Sequence, residues 1–187
     1  MFQVRIHGRG GQGVVTAAEI LSIAGFLEEQ YAQAFPSFGS ERMGAPVMAF
    51  CRLDDKEIRL REPVMAPDAL IIQDTTLLHQ VDLFQGLDTR RGYLIINTAK
   101  RYDELGIDEY VSNFLPHHIC TVAASEWAMK LIGRPVPNIA LLGAFSALTR
   151  RIELASLQEA VMEKFPGKIG EMNTKAAAAA YDAIRLN

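Results

Sequence analysis

Short apolar runs separated by polar and glycine-rich stretches fill the first two thirds of the chain, and helical periodicity fills the last third. Residues 3–7 alternate between polar and apolar side chains, which predicts a first strand. From Val14 the apolar positions recur at helical spacing as far as residue 27. Further strands are predicted at residues 31–34, 47–53, 69–73, 92–97 and 118–122. Strands that alternate with helical segments indicate a three-layer α/β/α domain with a largely parallel sheet.

One antiparallel hairpin interrupts this parallel pattern. The strand at 47–53 is followed by a turn at Asp54 and Asp55, and residues 56–61 then alternate with Ile58 and Leu60 on one face. Two such runs around a short turn predict a hairpin. The sheet is therefore expected to be mixed, as happens when an antiparallel element joins an otherwise parallel sheet.

Polar residues before apolar runs mark the expected helix starts. Asp74 is placed to cap a helix over residues 75–84, and Asn138 to cap one over 139–150. Ser156 and Glu159 match a capping box for a helix that ends near residue 165. Asn173 is expected to cap a final, alanine-rich helix over 174–186. Residues 102–114 are expected to hold one or two short helices, and residues 125–132 another.

A glycine-rich turn joins the first strand to the first helix. Gly8, Gly10 and Gly13 form the pattern G-x-G-x-x-G, and Gly11 adds a fourth glycine. Such a turn allows close approach of a ligand, and the N–H groups of the following helix can face a phosphate or carboxylate. The alternative is that these glycines only let the helix pack tightly against the sheet.

Two common phosphate-binding classes fit this turn poorly. A classical NAD site expects an acidic residue at the end of the second strand, where this chain has Ala34 and Phe35. A P-loop requires Lys and then Ser or Thr, and Val14 and Val15 stand there instead.

A second loop, residues 37–44, follows the predicted second strand and reads SFGSERMG. Ligand crevices of open α/β sheets form at the carboxyl ends of strands. Arg42 offers a planar set of donors that suits phosphate or carboxylate, and the backbone near Gly39 and Gly44 adds N–H groups. The alternative is a solvated loop in which Arg42 pairs with Glu41. We expect this loop and the glycine turn to converge at one end of the sheet.

Length, charge and cysteine spacing limit the classes of protein to which this chain can belong. The chain has 187 residues, which suits one domain spanning 1–187, and a net charge of −3 argues against a nucleic-acid-binding surface. Cys51 and Cys120 fit no Cys-x-x-Cys spacing, so the chain is expected to hold no iron–sulfur or zinc site of its own. No leader and no apolar run of membrane-spanning length precedes or interrupts the pattern, so a soluble cytoplasmic protein is expected.

No complete catalytic set is present. The four histidines show no metal-ligand spacing, and His7, beside the glycine turn, is most simply a hydrogen-bonded structural residue. Asn97 at the end of a core strand is a candidate crevice residue, although a turn cap explains it as well. The chain is therefore expected to bind a phosphorylated cofactor or to close the active site of another subunit.

At the two loops the sequence resembles the gamma subunit of 2-oxoacid:ferredoxin oxidoreductases and the corresponding domain of single-chain pyruvate:ferredoxin oxidoreductase. The similarity covers nearly the whole chain. Its most specific part is the occurrence of both loops in order. The matching stretches are residues 8–16 (GRGGQGVVT), 32–39 (AQAFPSFG), Glu41 with Arg42, 44–47 (GAPV), Pro67 with Asp68, the strand ending at Asn97, Pro137 with Asn138, 142–144 (LGA), and Asn173 with its alanine-rich helix.

This resemblance implies a Rossmann-like fold and a role in a complex. Enzymes of this kind decarboxylate a 2-oxoacid on thiamine diphosphate, pass electrons through [4Fe–4S] clusters to ferredoxin and transfer the acyl group to coenzyme A. Thiamine diphosphate, Mg and the clusters are expected in alpha, beta and delta-type partner subunits. The gamma-type domain is expected to line the cleft and to help bind coenzyme A. The residues expected there are Gly8, Gly10, Gly11, Gln12, Gly13, Ser37, Gly39, Ser40, Arg42 and Asn97.

The wording of the second loop is most similar to the pyruvate branch of the family. Met43 departs from that branch, in which a basic residue is common at this position. The expected activity is oxidative decarboxylation of pyruvate to acetyl-CoA and CO₂ within a complex, the isolated chain being inactive. The alternatives are the same role with 2-oxoglutarate or a branched-chain 2-oxoacid, a non-catalytic nucleotide or coenzyme A module, and a purely structural subunit.

Overall fold

The computed structural model describes residues 1–37 and 43–186, and its centre is a six-stranded mixed sheet. The strands lie in the order β2-β3-β1-β4-β5-β6, so that β1 is near the middle. Their bounds are β1 Phe2–Arg9, β2 Tyr31–Pro36, β3 Pro46–Asp54, β4 Ala69–Ile72, β5 Tyr93–Asn97 and β6 Ile119–Val122. All six strands fall at predicted positions, and the α/β class is confirmed.

The antiparallel element is β3, which pairs antiparallel with both β1 and β2. The other neighbouring pairs, β1 with β4, β4 with β5 and β5 with β6, are parallel. The predicted hairpin partner at 56–61 is wrong, because this segment is not a strand. Both edges of β3 are already paired with β2 and β1. The guanidinium of Arg52 instead holds the returning chain, donating to the carbonyl oxygens of Leu60 at 3.4 Å and Glu62 at 2.6 Å.

Six α-helices are present in the described parts of the chain. Helix α1 has the predicted bounds of 14–27, and α3 starts one residue before its predicted position. The bounds are α1 Val14–Leu27, α2 Asp108–Val111, α3 Ala124–Ile132, α4 Asn138–Thr149, α5 Leu154–Lys164 and α6 Lys168–Arg185. The helix predicted over 75–84 is only a short 3₁₀ turn at Thr75–His79, although Asp74 does cap it by accepting the N–H of Thr76.

Three predicted caps are wrong because their residues lie inside the helices. Helix α4 begins at Asn138 itself, α5 begins before Ser156, and α6 begins five residues before Asn173. The Asn173 Nδ2 donates to the carbonyl oxygen of Ile169 one turn earlier. Polar residues of this kind can bond backward along a helix as well as cap it, so the sequence pattern alone does not distinguish the two roles.

The two faces of the sheet are covered differently. One face packs against α1, α4, α5 and α6 in a large apolar core. In that layer α4 and α6 pack so closely at Gly143 that a side chain there would collide with the backbone of Ala177. The other face carries a smaller core covered by 3₁₀ turns and the single turn of α2. The helical layer on this second face of the predicted three-layer α/β/α domain is therefore thin.

Within residues 1–37 and 43–186, no helix is both long and apolar enough to cross a membrane.

Candidate functional site

The glycine turn lies at the carboxyl end of β1, and the end of the second loop at Met43 and Gly44 contacts it. Gly10 forms a parallel bridge with Met43. The Gly10 N–H donates to the carbonyl oxygen of Ala45 at 2.9 Å, and the Gly44 N–H donates to that of Gly10 at 3.1 Å. The predicted convergence is confirmed for this end of the loop, and Ser37 at the other end does not contact the turn. Gly39, Ser40 and Arg42 lie outside the described residues.

The turn ends at Gly13, which is the N-cap of α1 and has a left-handed φ of 71°. Glycine adopts this conformation without steric cost. A side chain at this position would also collide with the amide of Asn138, whose Nδ2 donates to the Gly13 carbonyl oxygen at 3.2 Å. Because glycine has no side chain to cap the helix, the first N–H groups of α1 are available to a ligand.

A polar network fixes the glycine turn to the end of the neighbouring strand β4. The Gln12 Nε2 donates to Asp74 Oδ2 at 2.8 Å, while Gln12 Oε1 accepts the N–H of Arg9 at 2.8 Å. The Arg9 guanidinium lies 3.4 Å from the same carboxylate and donates to Thr76 Oγ1 at 2.6 Å. Its Nη1 also donates to the carbonyl oxygen of Gly44 at 3.0 Å. The network therefore joins both loops to β4.

The Asp74 carboxylate is the acceptor at the centre of this network. Burial raises the pKa of Asp74, but the hydrogen bonds from Thr76 and Gln12, together with the charge of Arg9, hold it below its usual value. The group is therefore ionised near neutral pH. Its charge offsets that of Arg9, so Arg9 is a fixed structural cation rather than a free anion-binding one.

A cavity of about 490 Å³ opens between the glycine turn and the start of β3. Its walls are Arg9, Gly10, Gly11, Gly13, Val14, Val15, Thr16, Met43 and Val47. The volume is typical of small-molecule sites. The positive end of the α1 dipole faces this space, which favours an anionic group there.

The remaining predicted site residues occupy different positions. Gly8 is part of β1 and pairs with Val47 of β3. Ser37 donates its backbone N–H to Met48 at 2.8 Å and lines a different cavity, on the thinly covered face. Asn97 is at the same end of the sheet, but its amide bonds Ser125 and the Gln73 carbonyl oxygen. These bonds are those of a structural link, and ligand binding by Asn97 stays a prediction.

His7 is buried and uncharged. Burial, helped by the nearby charge of Arg5, lowers the pKa of His7 to about 4. Its Nε2 has no hydrogen-bond partner among the described residues. The expected hydrogen-bonded structural role is therefore not seen at that atom.

Cys51 and Cys120 are free and buried, and burial raises the pKa of each thiol to about 12. Within the described ranges, no group of three or more His, Cys, Asp or Glu side chains is placed to hold a metal ion.

Sequence reasoning missed Arg9, Thr16, Thr76 and the role of Asn138. Asp74 was recognised as a cap, but its bond to Gln12 spans 62 positions and no local pattern indicates it. The sequence held only a weaker signal for this contact. In a parallel sheet, polar residues that follow neighbouring strands lie at one edge of the sheet, and Gln12 follows β1 while Asp74 follows β4.

Comparison with known proteins gives matches over almost the whole chain. Residues 3–183 match the family described as pyruvate ferredoxin/flavodoxin oxidoreductase. Pyruvate synthase subunit PorC of Methanocaldococcus jannaschii is 45% identical over 98% of this chain and 97% of its own length. The common subunit gamma of the pyruvate/ketoisovalerate oxidoreductases of Pyrococcus furiosus is 43% identical over 100% of this chain and 98% of its own.

Solved structures show the same fold. The crystal structure of pyruvate oxidoreductase subunit PORC from Thermotoga maritima has a TM-score of 0.81 and 32% identity, covering 97% of this chain and 95% of that one. The 2-oxoglutarate:ferredoxin oxidoreductase of Magnetococcus marinus has a TM-score of 0.71 at 16% identity. There 99% of this chain covers 31% of a longer chain, and the likeness concerns the fold alone.

The family match and these relatives, on a chain with this fold, identify a gamma-type subunit of an oxidoreductase acting on 2-oxoacids. The chain belongs to the pyruvate ferredoxin/flavodoxin oxidoreductase family.

Replacement of Asp74 tests the network. We expect Asp74→Asn to lower the free energy of unfolding at pH 7 by about 1–2 kcal/mol, because the amide loses charge-assisted hydrogen bonds and turns a donor toward Gln12. A depressed carboxylate pKa stabilises the fold above the unfolded pKa of about 3.9, and this contribution is lost as the pH falls through the folded value. Urea unfolding at pH 7 and pH 3 should therefore show the deficit shrinking in acid. Asp88→Asn, at an Oδ1 that accepts the N–H of Arg90, is the control, and an equal deficit in both variants would refute the assignment.

The lowered pKa of His7 predicts a second pH effect. An unfolded histidine has a pKa of about 6.5, so neutral His7 stabilises the fold above that pH and the contribution is lost as the pH falls toward 4. The total contribution of this pKa shift to the free energy of unfolding is at most about 3 kcal/mol. We expect urea unfolding from pH 7 to pH 4.5 to show a smaller loss of stability in His7→Gln than in the wild type. His79→Gln, at an exposed histidine, should keep the wild-type slope. Parallel slopes for wild type and His7→Gln would contradict the prediction.

Proposed function

We propose that this chain is the gamma subunit of a pyruvate:ferredoxin oxidoreductase and lines the cleft in which coenzyme A binds. The complex would convert pyruvate, coenzyme A and oxidised ferredoxin to acetyl-CoA, CO₂ and reduced ferredoxin. One observation carries the proposal for this chain: the cavity at the start of α1 is bounded by the glycine turn and by Met43 at the end of the second loop. We propose that the complex acts in the cytoplasm.

The chemistry of coenzyme A suits this cavity. Its phosphates are anionic, and the N–H groups of the first turn of α1 are donors at the positive end of a 14-residue helix. Gly10, Gly11 and Gly13 let a diphosphate approach the backbone closely. The cavity is also large enough for part of a nucleotide. In the Magnetococcus marinus structure, whose fold is similar, coenzyme A is bound.

The reacting groups would belong to the partners. Thiamine diphosphate with Mg, which supplies carbanion stabilisation, and the [4Fe–4S] clusters, which supply electron transfer, are assigned to alpha, beta and delta-type subunits. Cys51 and Cys120 suit cluster ligation poorly, since both are buried in strands with raised thiol pKa values. The contribution of this chain would be positional: it holds coenzyme A so that its thiol is near the acyl intermediate. The isolated chain is expected to be inactive.

Pyruvate is the substrate that the relatives' names favour. PorC of Methanocaldococcus jannaschii is named as a subunit of pyruvate synthase, whereas the Pyrococcus furiosus relative is named as common to pyruvate and ketoisovalerate enzymes. A shared gamma subunit would require that the 2-oxoacid be selected elsewhere in the complex. A branched-chain 2-oxoacid is therefore the second candidate, and 2-oxoglutarate has less support.

Thr16 offers a test that separates binding from assembly. Thr16 lines the cavity in the first turn of α1. A carboxylate at this position stabilises the helix through its dipole but repels a bound phosphate. In the assembled complex, Thr16→Glu should raise the KM for coenzyme A by about 3- to 10-fold, equivalent to roughly 0.7–1.4 kcal/mol of repulsion. Steady-state kinetics should show a smaller change in the KM for pyruvate.

Thr16→Gln is the matched control, with the same length and no charge, and should stay near the wild type. If Thr16→Glu assembles normally and leaves the KM for coenzyme A unchanged, the coenzyme does not approach this helix. A non-catalytic or purely structural role would then be favoured.

Arg42 remains the donor that we propose for a coenzyme A phosphate. Arg42→Ala in the complex should raise the KM for coenzyme A more than the KM for pyruvate, because a charge-assisted bond to phosphate would be lost. Arg59→Ala removes an exposed arginine that pairs with Glu57 and serves as the control. Unchanged coenzyme A kinetics in Arg42→Ala would remove this residue from the site.

A further inference from the structure

The start of α1 follows an anchored residue, and the peptide group of Gly13 links the two. Before it, the side chain of Gln12 is bonded to Asp74 at the end of β4. After it, the first hydrogen bond of α1 runs from the Ala17 N–H to the Gly13 carbonyl oxygen at 2.9 Å. Gly11 and Gly13 both have positive φ values, 93° and 71°, and glycine changes backbone conformation at little steric cost. The orientation of the first helical turn therefore depends on what holds Gly13.

Among the described residues, no side chain caps the first N–H groups of α1. The N-cap is glycine, which offers no side-chain acceptor, and the first turn of the helix contains no acidic residue. Helix ends fray, and an end without a cap has few bonds to oppose the fraying. The restraint on this end comes instead from α4, which is 125 positions away along the chain.

Asn138, the first residue of α4, supplies that restraint. Its Nδ2 donates to the Gly13 carbonyl oxygen at 3.2 Å. Its Oδ1 accepts the N–H of Ile139 at 2.9 Å, which fixes the orientation of the amide and leaves the nitrogen facing Gly13. Asn138 is 4% exposed, so little water competes for the bond. The contact is also closely packed, because a Cβ on Gly13 would collide with this amide.

The bond from Asn138 acts on the cavity through the backbone. Asn138 does not line the cavity beside the glycine turn, whereas the N-cap and the first turn of α1 do, through Gly13, Val14, Val15 and Thr16. The C=O of Gly13 and the N–H of Val14 belong to one planar peptide group, so a restraint on the carbonyl also fixes the direction of that N–H. The N–H groups of this turn have no acceptor within the helix. Asn138 thus orients these donors without itself lining the cavity.

We propose that Asn138 is a positioning residue for coenzyme A: it holds the Gly13 peptide so that the N–H groups of the first turn of α1 are directed toward the diphosphate. This inference rests on the proposed function. A ligand that meets donors of fixed direction does not have to order a frayed helix end when it binds, so less of the binding free energy is lost. Loss of the Asn138 bond therefore weakens binding of coenzyme A and leaves the 2-oxoacid, which is bound by the partners, much less affected.

Amide hydrogen exchange in the full chain tests the restraint directly. Asn138→Leu keeps a side chain of similar size against Gly13 but removes the donor. The Ala17 N–H reports the first bond of α1, and its exchange should become about 3- to 10-fold faster, as the loss of one neutral hydrogen bond predicts. Ser146→Ala is the matched control, because it removes another buried bond of α4, from Ser146 Oγ to the carbonyl oxygen of Ile152, toward the opposite end of the helix. This control should leave the exchange of Ala17 unchanged.

Steady-state kinetics of the assembled complex test the positioning role. Asn138→Leu should raise the KM for coenzyme A by about 3- to 10-fold, and the KM for pyruvate should change less. Ser146→Ala should keep both values. A residue with only a structural role would lower the stability of the chain and leave the two KM values in their wild-type ratio. If Asn138→Leu does not fold, Asn138→Ser, which is shorter and keeps a polar group in the buried site, is measured instead with the same expected direction.

The proposal is overturned if the folded Asn138 variant leaves the exchange of Ala17 unchanged, or if exchange is faster and the KM for coenzyme A stays at the wild-type value. It is also overturned if Ser146→Ala reproduces both effects. Thr16→Glu in the same complex separates the two proposals. A raised KM for coenzyme A in Thr16→Glu alone means that only the positioning role fails, whereas no effect in either variant refutes the coenzyme site as well.

Discussion

The carboxylate of Asp74 is the interaction on which the candidate site depends. It accepts hydrogen bonds from Thr76 and from Gln12 and lies beside the guanidinium of Arg9. Glycines confer freedom on the turn, and freedom alone would leave its N–H groups without a fixed direction. The network removes that freedom by anchoring the turn to β4, while Arg9 extends the anchor to Gly44 in the second loop. The Asp74 carboxylate thus links the glycine turn and, through Arg9, the second loop to the end of β4, in addition to the backbone bonds between the two loops.

Local patterns predicted most of the fold but not its long-range connections. The six strands and α1 follow from side-chain periodicity, and Asp74 was recognised as a cap because that role needs only its near neighbours. The partner of β3 was misjudged, since alternation at residues 56–61 says nothing about which edges of β3 are already paired. The caps at Asn138 and Asn173 failed for a related reason: the same side chain can serve the backbone from inside a helix.

The site was predicted to a similar degree. The resemblance and the strand–turn–helix pattern indicated two loops, and the structure brings the glycine turn together with Met43 and Gly44 of the second loop. The sequence did not reveal that Arg9 is held by Asp74 and Thr76 or that Asn97 is engaged by Ser125. Nor did it indicate the cavity that Arg5 and His7 line on the thinly covered face. Arginine and histidine in an alternating strand suggest a solvated face, whereas here loops cover that face and Arg5 holds them through their carbonyl groups.

The bond from Asn138 to the carbonyl oxygen of Gly13 joins positions 125 residues apart. Contacts of such high sequence separation form late, because a long loop must close before they contribute. During synthesis, β1 and the glycine turn leave the ribosome well before α4 exists to hold them. The start of α1 therefore acquires its final shape only once the C-terminal helices have docked. The maturation of the glycine turn is thus tied to completion of the whole polypeptide.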